Sequence, residues 1–554
     1  MPVSEVAWVV PLTARVAEKP QTKEQSLVHC IIGSGPSGVA CAQALVRRGI
    51  DVQLLDAGVQ LEADRALTIA ALASRTPEEW RPDDLAVLRE GVEVRAAGIP
   101  LKRAYGSDFP YRDANGQLVV RAPSVGLRAS FARGGLSHVW GAAMLPYCGD
   151  DLSGWPAATQ RLAEHYRAAV AMTGLAGTRD DLEHDFPLFT DEPQELAVSR
   201  QGAAFLDRLS RHRADLRSAG FAFGRARLAV RGNGPGNGDG CKSCGQCLYG
   251  CPFGFIYNSL TTLQQLVATG RVKYVPDVVV EQIHESPQDV TVSGRHRVTG
   301  AAVRMACERA YVAAGPIHTT RLLLQARHAF DHPVHLQDSQ YFVVPLVTSE
   351  RTPNVRAEAL HSLSQAFLEL RDPSLSPFTI HLQIYSYNDL LTHAIRAALG
   401  PVARILGPFA RRLEDRLLVV QGYLHSAHSS TIRAELRQTH PSARLELTGV
   451  ANEATRPLLR KLMRKLLRHT RSLGAVPLAP LLRVGLPGQG FHTGGSFPMR
   501  DRPGAFETDV LGRVAGLARI HAVDATVFPT IPATTITLTA MANAHRIGSA
   551  APAS

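Results

Sequence analysis

After a short apolar run at Trp8–Leu12, apolar residues gather at Val28–Ile32, a mostly apolar run that is cut off by Gly33-Ser34-Gly35-Pro36-Ser37-Gly38. From Val39 to Arg48 apolar positions recur at helical spacing, and Val52–Leu55 is another mostly apolar run, closed by Asp56. Short continuous apolar runs bounded by glycine or charge read as buried strands, so the order is strand, turn, helix, strand. Strand-like runs return at Val272–Val275, Val278–Ile283, Val290–Val292 and Ala301–Met305. They end in Ala310–Gly315, followed by a helix over Thr319–Ala326. This repeated strand–glycine–helix order predicts one more strand in the first sheet, with Gly315 beside whatever that sheet binds. Between these blocks, Asp151 to about Gly220 is polar and helical. The block from about Gln337 to Leu486 is less periodic and holds strands such as Tyr341–Val347 and Thr379–Tyr385.

The pattern places the chain in the α/β class. The opening strand–turn–helix–strand unit is Rossmann-like and reads as a nucleotide site. Residues 1–26 read as an N-terminal arm. The three glycines of the opening unit act in different ways. Gly33 permits the tight turn, Gly35 lets backbone approach a pyrophosphate, and Gly38 lets helix and sheet pack closely. The helix N-terminus adds free N–H groups and positive dipole. Asp56 stands where a ribose diol is held. The motif does not say which nucleotide.

At 554 residues the chain exceeds one typical domain. With 45% hydrophobic and 20% charged residues it is globular in composition. No apolar run approaches the roughly 18–20 residues of a membrane span. The first 26 residues lack a basic start with a long apolar core, so no secretory signal is evident. The net charge of +11 is carried by dispersed arginines, with only 6% aromatics, which argues against a nucleic-acid surface. Two segments are amphipathic and basic, Arg456 to Arg471 and the interrupted Leu390 to Arg412. Each reads either as a core-facing helix with a solvated charged side or as a peripheral contact with an anionic membrane.

Chemistry is concentrated in three places. The run Gly134-Gly135-Leu136-Ser137-His138-Val139-Trp140-Gly141 puts small residues where a flat ligand needs close backbone. Cys241, Cys244, Cys247 and Cys251 have the spacing C-x2-C-x2-C-x3-C-P, the ferredoxin iron–sulfur run. Three thiolates around a 3Fe–4S core, or four around a 4Fe–4S core, both fit; zinc, or a vestigial or disulfide-linked loop, stay open. The remaining cysteines (Cys30, Cys41, Cys148, Cys307) are scattered and read as buried thiols. The clustering points to a reducing, cytoplasmic compartment, on the inner membrane face if the basic segments dock there. The third place is Gly490-Phe491-His492-Thr493-Gly494-Gly495, followed by Val523-Asp524-Ala525-Thr526.

Four segments in order resemble the glucose–methanol–choline (GMC) oxidoreductases, FAD-dependent alcohol oxidases and dehydrogenases. They are the fingerprint ending Leu54-Leu55-Asp56-Ala57-Gly58, the Gly134–Gly141 stretch, Val312-Ala313-Ala314-Gly315 with its following helix, and His492-Thr493-Gly494-Gly495 to Asp524. The resemblance implies a Rossmann-like FAD-binding domain assembled from residues 27–150, 221–335 and 487–549, with the cysteine-cluster loop 231–257 inside it, and a mixed α+β substrate domain from 151–220 and 336–486. It implies that Gly33, Gly35, Ser37 and Gly38 hold the pyrophosphate and Asp56 the adenosine ribose. It implies that Gly134, Gly135, Ser137, Trp140 and Gly141 lie along the flavin, and that Ala314, Gly315, Asp524 and Ala525 complete the FAD site. His492 matches the active-site histidine that takes the alcohol proton. The family's second His or Asn has no counterpart; Ala533 or Thr534 stands at its place, and Thr534 or Thr535 could offer a hydroxyl instead. Val139 stands where some relatives attach the flavin through histidine, so FAD is expected to be non-covalent. Some bacterial relatives carry a cluster, which implies an alcohol or sugar dehydrogenase that passes electrons through an iron–sulfur cluster to an external protein or quinone. The alternatives are an oxygen-using oxidase without a redox-active cluster and a redox-silent flavoprotein.

Overall fold

The computed structural model describes residues 28–91, 101–112, 118–147, 149–233, 239–388, 390, 400, 412–439 and 443–552. The N-terminal arm, Cys148 and most of Leu390–Arg412 lie outside the described residues.

A five-stranded parallel sheet carries the glycine turn. Its order is Ile520–Ala522, Ala310–Val312, His29–Ile32, Val52–Leu55, Val272–Val275. His29 pairs with Val52, and Cys30 pairs with Ala310 on the other side. The predicted extra strand is therefore present, between His29–Ile32 and Ile520–Ala522. Such strands are buried on both faces, which is why they read as continuous apolar runs rather than alternating ones. On one face, helix Pro36–Arg47 packs against the C-terminal helix Thr537–Ala550. The two approach closely at Gly548, where a Cβ would meet the Cys41 carbonyl oxygen at 2.9 Å. A three-stranded antiparallel sheet, Val278–Glu285, Val290–His296 and Ala302–Cys307, forms the excursion between the outer and central parallel strands.

The second large sheet is antiparallel, in the order Ala475–Pro477, Gln340–Thr348, Leu417–Leu424, Ser376–Tyr385, Ala366–Asp372, Phe221–Arg225. Phe221–Arg225 pairs with Ala366–Leu370 in this sheet. Period-2 alternation gives this sheet two different faces. Phe342, Val344, Leu368, Leu382, Ile384 and Val420 point to one side. Helices Arg200–Arg211 and Thr455–Arg468 cover it with Phe205, Leu209, Leu458, Leu462 and Leu466. Each fully buried leucine contributes about 1.5–3 kcal/mol. The apolar face of the basic helix Thr455–Arg468 is thus spent on the core, with only Leu467 (43% exposed) outside it. This packing fits the core-facing reading of the segment, with its charged side solvated. Among the described residues no helix is long and apolar enough to cross a membrane.

Another five-stranded sheet runs in the order Thr493–Gly494, Val334–Asp338, Thr431–Arg437, Arg444–Val450, Val119–Arg121. Its edge strand Thr493–Gly494 follows directly on His492.

Candidate cofactor and active site

The glycine turn is built by steric exclusion. Gly33 sits at φ 101°, and a Cβ there would lie 2.5 Å from the Ala313 carbonyl oxygen. A Cβ on Gly38 would lie 2.0 Å from the Gly33 carbonyl oxygen, so helix and turn can close only on glycine. Gly35 differs: a Cβ there meets nothing within 4 Å. Its open side faces a cavity, and Gly35 is also the N-cap of Pro36–Arg47, which has no side-chain cap. The uncapped N–H groups of that first turn are free for an anion. Asp56 accepts hydrogen bonds from Ser34 N (2.9 Å) and Gly58 N (2.8 Å), and burial pushes its carboxyl up to about 6. The second glycine turn touches the first, with Gly134 N donating to Ser34 Oγ at 2.7 Å. Asp524 closes the same region, accepting from Thr319 Oγ1 (2.5 Å) and Thr526 N (3.0 Å).

These segments line one cavity of about 1100 Å³ that also reaches His492 and the antiparallel sheet. It exceeds the roughly 300–1,000 Å³ of drug-sized ligand pockets, leaving room for a dinucleotide and a small substrate. Gly33, Gly35, Ser37, Asp56, Gly135, Ser137, Trp140, Gly141, Ala314, Gly315, Asp524 and Ala525 all face it. Gly38 and Gly134 do not; they shape the turns from behind. An open cradle at Gly35, an uncapped helix start and a buried carboxylate fit the pyrophosphate and ribose of FAD. Val139 lines the cavity, whereas His138 is turned away, its Nε2 2.8 Å from the Arg133 carbonyl oxygen.

His492 is presented on a constrained loop. Phe491 before it has φ 59°, a left-handed conformation that a bulky residue seldom adopts. Asp338, fully buried, grips the loop from both ends, accepting from Gly488 N (2.8 Å) and Thr493 Oγ1 (3.0 Å). The imidazole of His492 stacks on Tyr423, and its buried Nδ1 has no hydrogen-bond partner among the described residues. Burial, with His381 adding to it, pushes His492 down to about 3. The ring is therefore a neutral acceptor at physiological pH.

The proposed threonines fare differently. Thr534 does not face the cavity; its hydroxyl lies 3.5 Å from Asp151 Oδ2, which removes it from the site. Thr535 lines the cavity, but its Oγ1 accepts from Leu145 N at 2.7 Å. It braces the loop at Leu145 rather than offering a free hydroxyl. Ala533 packs with Tyr341 and Tyr423. Sequence reading missed this wall: Tyr341, Gln383, Tyr385, Gln421 and Tyr423 all face the cavity. The signal was the alternation His381-Leu382-Gln383-Ile384-Tyr385, polar or aromatic on one face and aliphatic on the other.

The cysteine loop backs onto the same cavity through Leu248, and Lys102 lies between them, donating to the Trp140 carbonyl oxygen at 2.7 Å. Burial lowers Lys102 to about 8, opposed by Cys247 and Cys251. Backbone N–H groups point at two sulfurs, Ser243 N to Cys241 (3.5 Å) and Phe255 N to Cys251 (3.4 Å). Burial pushes Cys241 up to about 11 and Cys244 up to about 12. Among the described residues, however, no three His, Cys, Asp or Glu side chains are arranged to hold a metal ion. As placed, Cys241, Cys244, Cys247 and Cys251 share a loop without forming a ligand cage.

Residues 31–61 match the NAD(P)-binding Rossmann-like domain family. No curated protein sequence matches the chain. Among solved structures, the chain is similar to pyridoxine 4-oxidase from Mesorbium loti, with 14% identity, TM-score 0.53, and coverage of 94% of this chain and 98% of that one. It is similar to a formate oxidase with 13% identity, TM-score 0.57, and coverage of 94% and 97%. A variant of the Aspergillus oryzae formate oxidase, studied for FAD modification, matches with 13% identity, TM-score 0.56, and coverage of 95% and 98%. These likenesses establish the fold over nearly the whole chain.

Proposed function

We propose that this chain is a FAD-dependent oxidoreductase of the GMC type that oxidises an alcohol or sugar hydroxyl, with FAD held non-covalently. The observation that carries this reading is the meeting, in one cavity, of a dinucleotide cradle and a neutral, unpartnered His492. FAD, when bound, supplies the hydride acceptor for the carbinol carbon. The chain's own part is placement and proton handling. The Gly35 cradle and the start of Pro36–Arg47 hold the pyrophosphate, Asp56 the ribose, and the Gly135–Gly141 loop the flat ring system. His492 takes the hydroxyl proton, which makes the carbinol C–H a better hydride donor. The tyrosine wall lines the cavity beside His492, with Tyr423 stacked on the imidazole. Anaerobic mixing of the FAD-loaded protein with primary alcohols, polyols and sugars is expected to bleach the flavin's visible absorbance with at least one of them. A flavin that none reduces would leave the redox-silent reading.

The electron acceptor has two readings, each with its own observation. The ferredoxin spacing, and a cysteine loop that touches the cavity at Leu248, favour relay through an iron–sulfur cluster to an external protein or quinone. The oxidase structures of the same fold favour oxygen. No step above depends on the cluster. Iron and acid-labile sulfide in anaerobically purified protein support the first reading; peroxide formed without iron supports the second.

A further inference from the structure

The helix Thr455–Arg468 carries a face that the core does not use. Its charged residues are Arg456, Arg460, Lys461, Arg464, Lys465 and Arg468, and it contains no acid. Lys465 is answered by Asp372 at 2.9 Å. The other five are exposed and make no ion pair or side-chain hydrogen bond among the described residues. At the helical repeat all five fall within one arc of about 140°. The remaining exposed residues of that arc are Pro457 and Leu467, both apolar.

In the free protein this arrangement costs stability. Arg456, Arg460, Arg464 and Arg468 follow at i, i+4 spacing, so each is a like-charge neighbour of the next. Arg456 stands in the first turn, at the positive end of the helix dipole, with no acid there and no side-chain cap to offset it. Core packing needs none of these cations; it uses Leu458, Leu459, Leu462, Met463 and Leu466 on the opposite side. An anionic partner turns the same charges into a gain. Protein partners are fixed by buried aromatic anchors near the centre of a contact, and nucleic acids by polar or stacking groups that reach the bases. The arc offers neither. A bilayer surface asks only for cations along one flat side with a small apolar residue among them. From Arg456 to Arg468 the helix presents such a side over about 18 Å.

We infer that the exposed arc of Thr455–Arg468 docks the protein on an anionic bilayer surface by charge, with the helix lying flat and its apolar side kept in the core. Helix and cavity lie on opposite faces of the antiparallel sheet. Phe342, Leu382 and Val420 point to the helix, whereas Tyr341, Gln383 and Gln421 line the cavity. Docking therefore leaves the sheet between the lipid and the cavity, and it does not rest on the redox reading.

The test is flotation of the FAD-loaded protein with phosphatidylcholine vesicles, with and without phosphatidylglycerol. Wild type is expected to float with the anionic vesicles, to stay behind with the neutral ones, and to be released by high salt, which screens exposed charges. Arg460→Gln, Arg464→Gln and Arg468→Gln together should weaken partitioning roughly 100-fold, the worth of three surface cations. Because repulsion is relieved, that variant should keep its FAD and melt no lower than wild type. A matched control, Arg47→Gln, Arg161→Gln and Arg167→Gln, removes the same charge from exposed positions elsewhere and should float as wild type does. Wild type that does not float, or flotation that survives in the first variant or falls equally in both, overturns the inference. Capture of wild type by duplex DNA or polyglutamate at the same salt, without flotation, overturns it in favour of a nucleic acid or an acidic protein. A lower melting temperature in the first variant overturns it in favour of a role in the fold.

Discussion

The imidazole of His492 lies nearly flat on the phenol ring of Tyr423, with centroids 4.5 Å apart and planes 19° from parallel. One partner comes from the C-terminal segment and the other from the antiparallel sheet, so the stack fastens two sides of the cavity. It also contributes to the low basicity of His492, because it keeps water from one face of the ring. Tyr423→Phe should keep the stack and leave flavin reduction close to wild type. Tyr423→Ala admits water and should return His492 toward the ordinary histidine range, seen as a rise in its titration midpoint by NMR.

With His492 pushed down to about 3, the free enzyme should show no histidine limb near neutrality. The base is in its accepting form above that value, so substrate-dependent flavin reduction should stay flat as pH falls from about 8 to about 5. A stopped-flow pH profile that falls with a midpoint between 6 and 7 would contradict this environment for His492.

Asp338 makes a pH-dependent contribution of predictable sign. Burial pushes it up from 3.8 to about 7, so the folded state holds its proton more tightly than the unfolded chain. Its contribution is fully present below the unfolded value and is lost as pH rises from about 4 through about 7. The difference in melting temperature between wild type and Asp338→Asn should therefore change across that window in favour of the variant as pH rises. A parallel pair of curves would remove Asp338 as the cause.

Two glycines of one turn should respond oppositely to alanine. Gly33→Ala forces a Cβ against the Ala313 carbonyl at φ 101° and should destabilise or prevent folding. Gly35→Ala meets nothing within 4 Å, so the fold should survive, but the methyl occupies the approach of the pyrophosphate and should weaken FAD binding. Thermal melts of the FAD-free proteins, paired with FAD titration, separate the two effects.

The glycine turn was legible in sequence because its signal is local: Gly33, Gly35 and Gly38 fall within six residues, between two short apolar runs and a helical pattern. His492 became legible through the resemblance. The tyrosine wall was not, because it depends on pairings such as Tyr341 with Tyr423 that join distant strands, although His381, Gln383 and Tyr385 displayed the alternation. Thr534 and Thr535 show the opposite failure. Their positions in the chain were suitable, but their hydroxyls are directed to Asp151 and the Leu145 backbone, which no spacing announces. The cysteine spacing was plain in sequence, whereas the thiols are not gathered as ligands among the described residues.

The central claim is that His492 takes the substrate proton while hydride leaves for the flavin. The direct measurement is anaerobic reduction of bound FAD by a reducing alcohol in wild type and in His492→Ala, with FAD content matched. Loss of a positioned general base lowers such a step by roughly 100- to 10,000-fold, so His492→Ala should bind FAD normally and bleach that much more slowly. Reduction at the wild-type rate in His492→Ala would contradict the account.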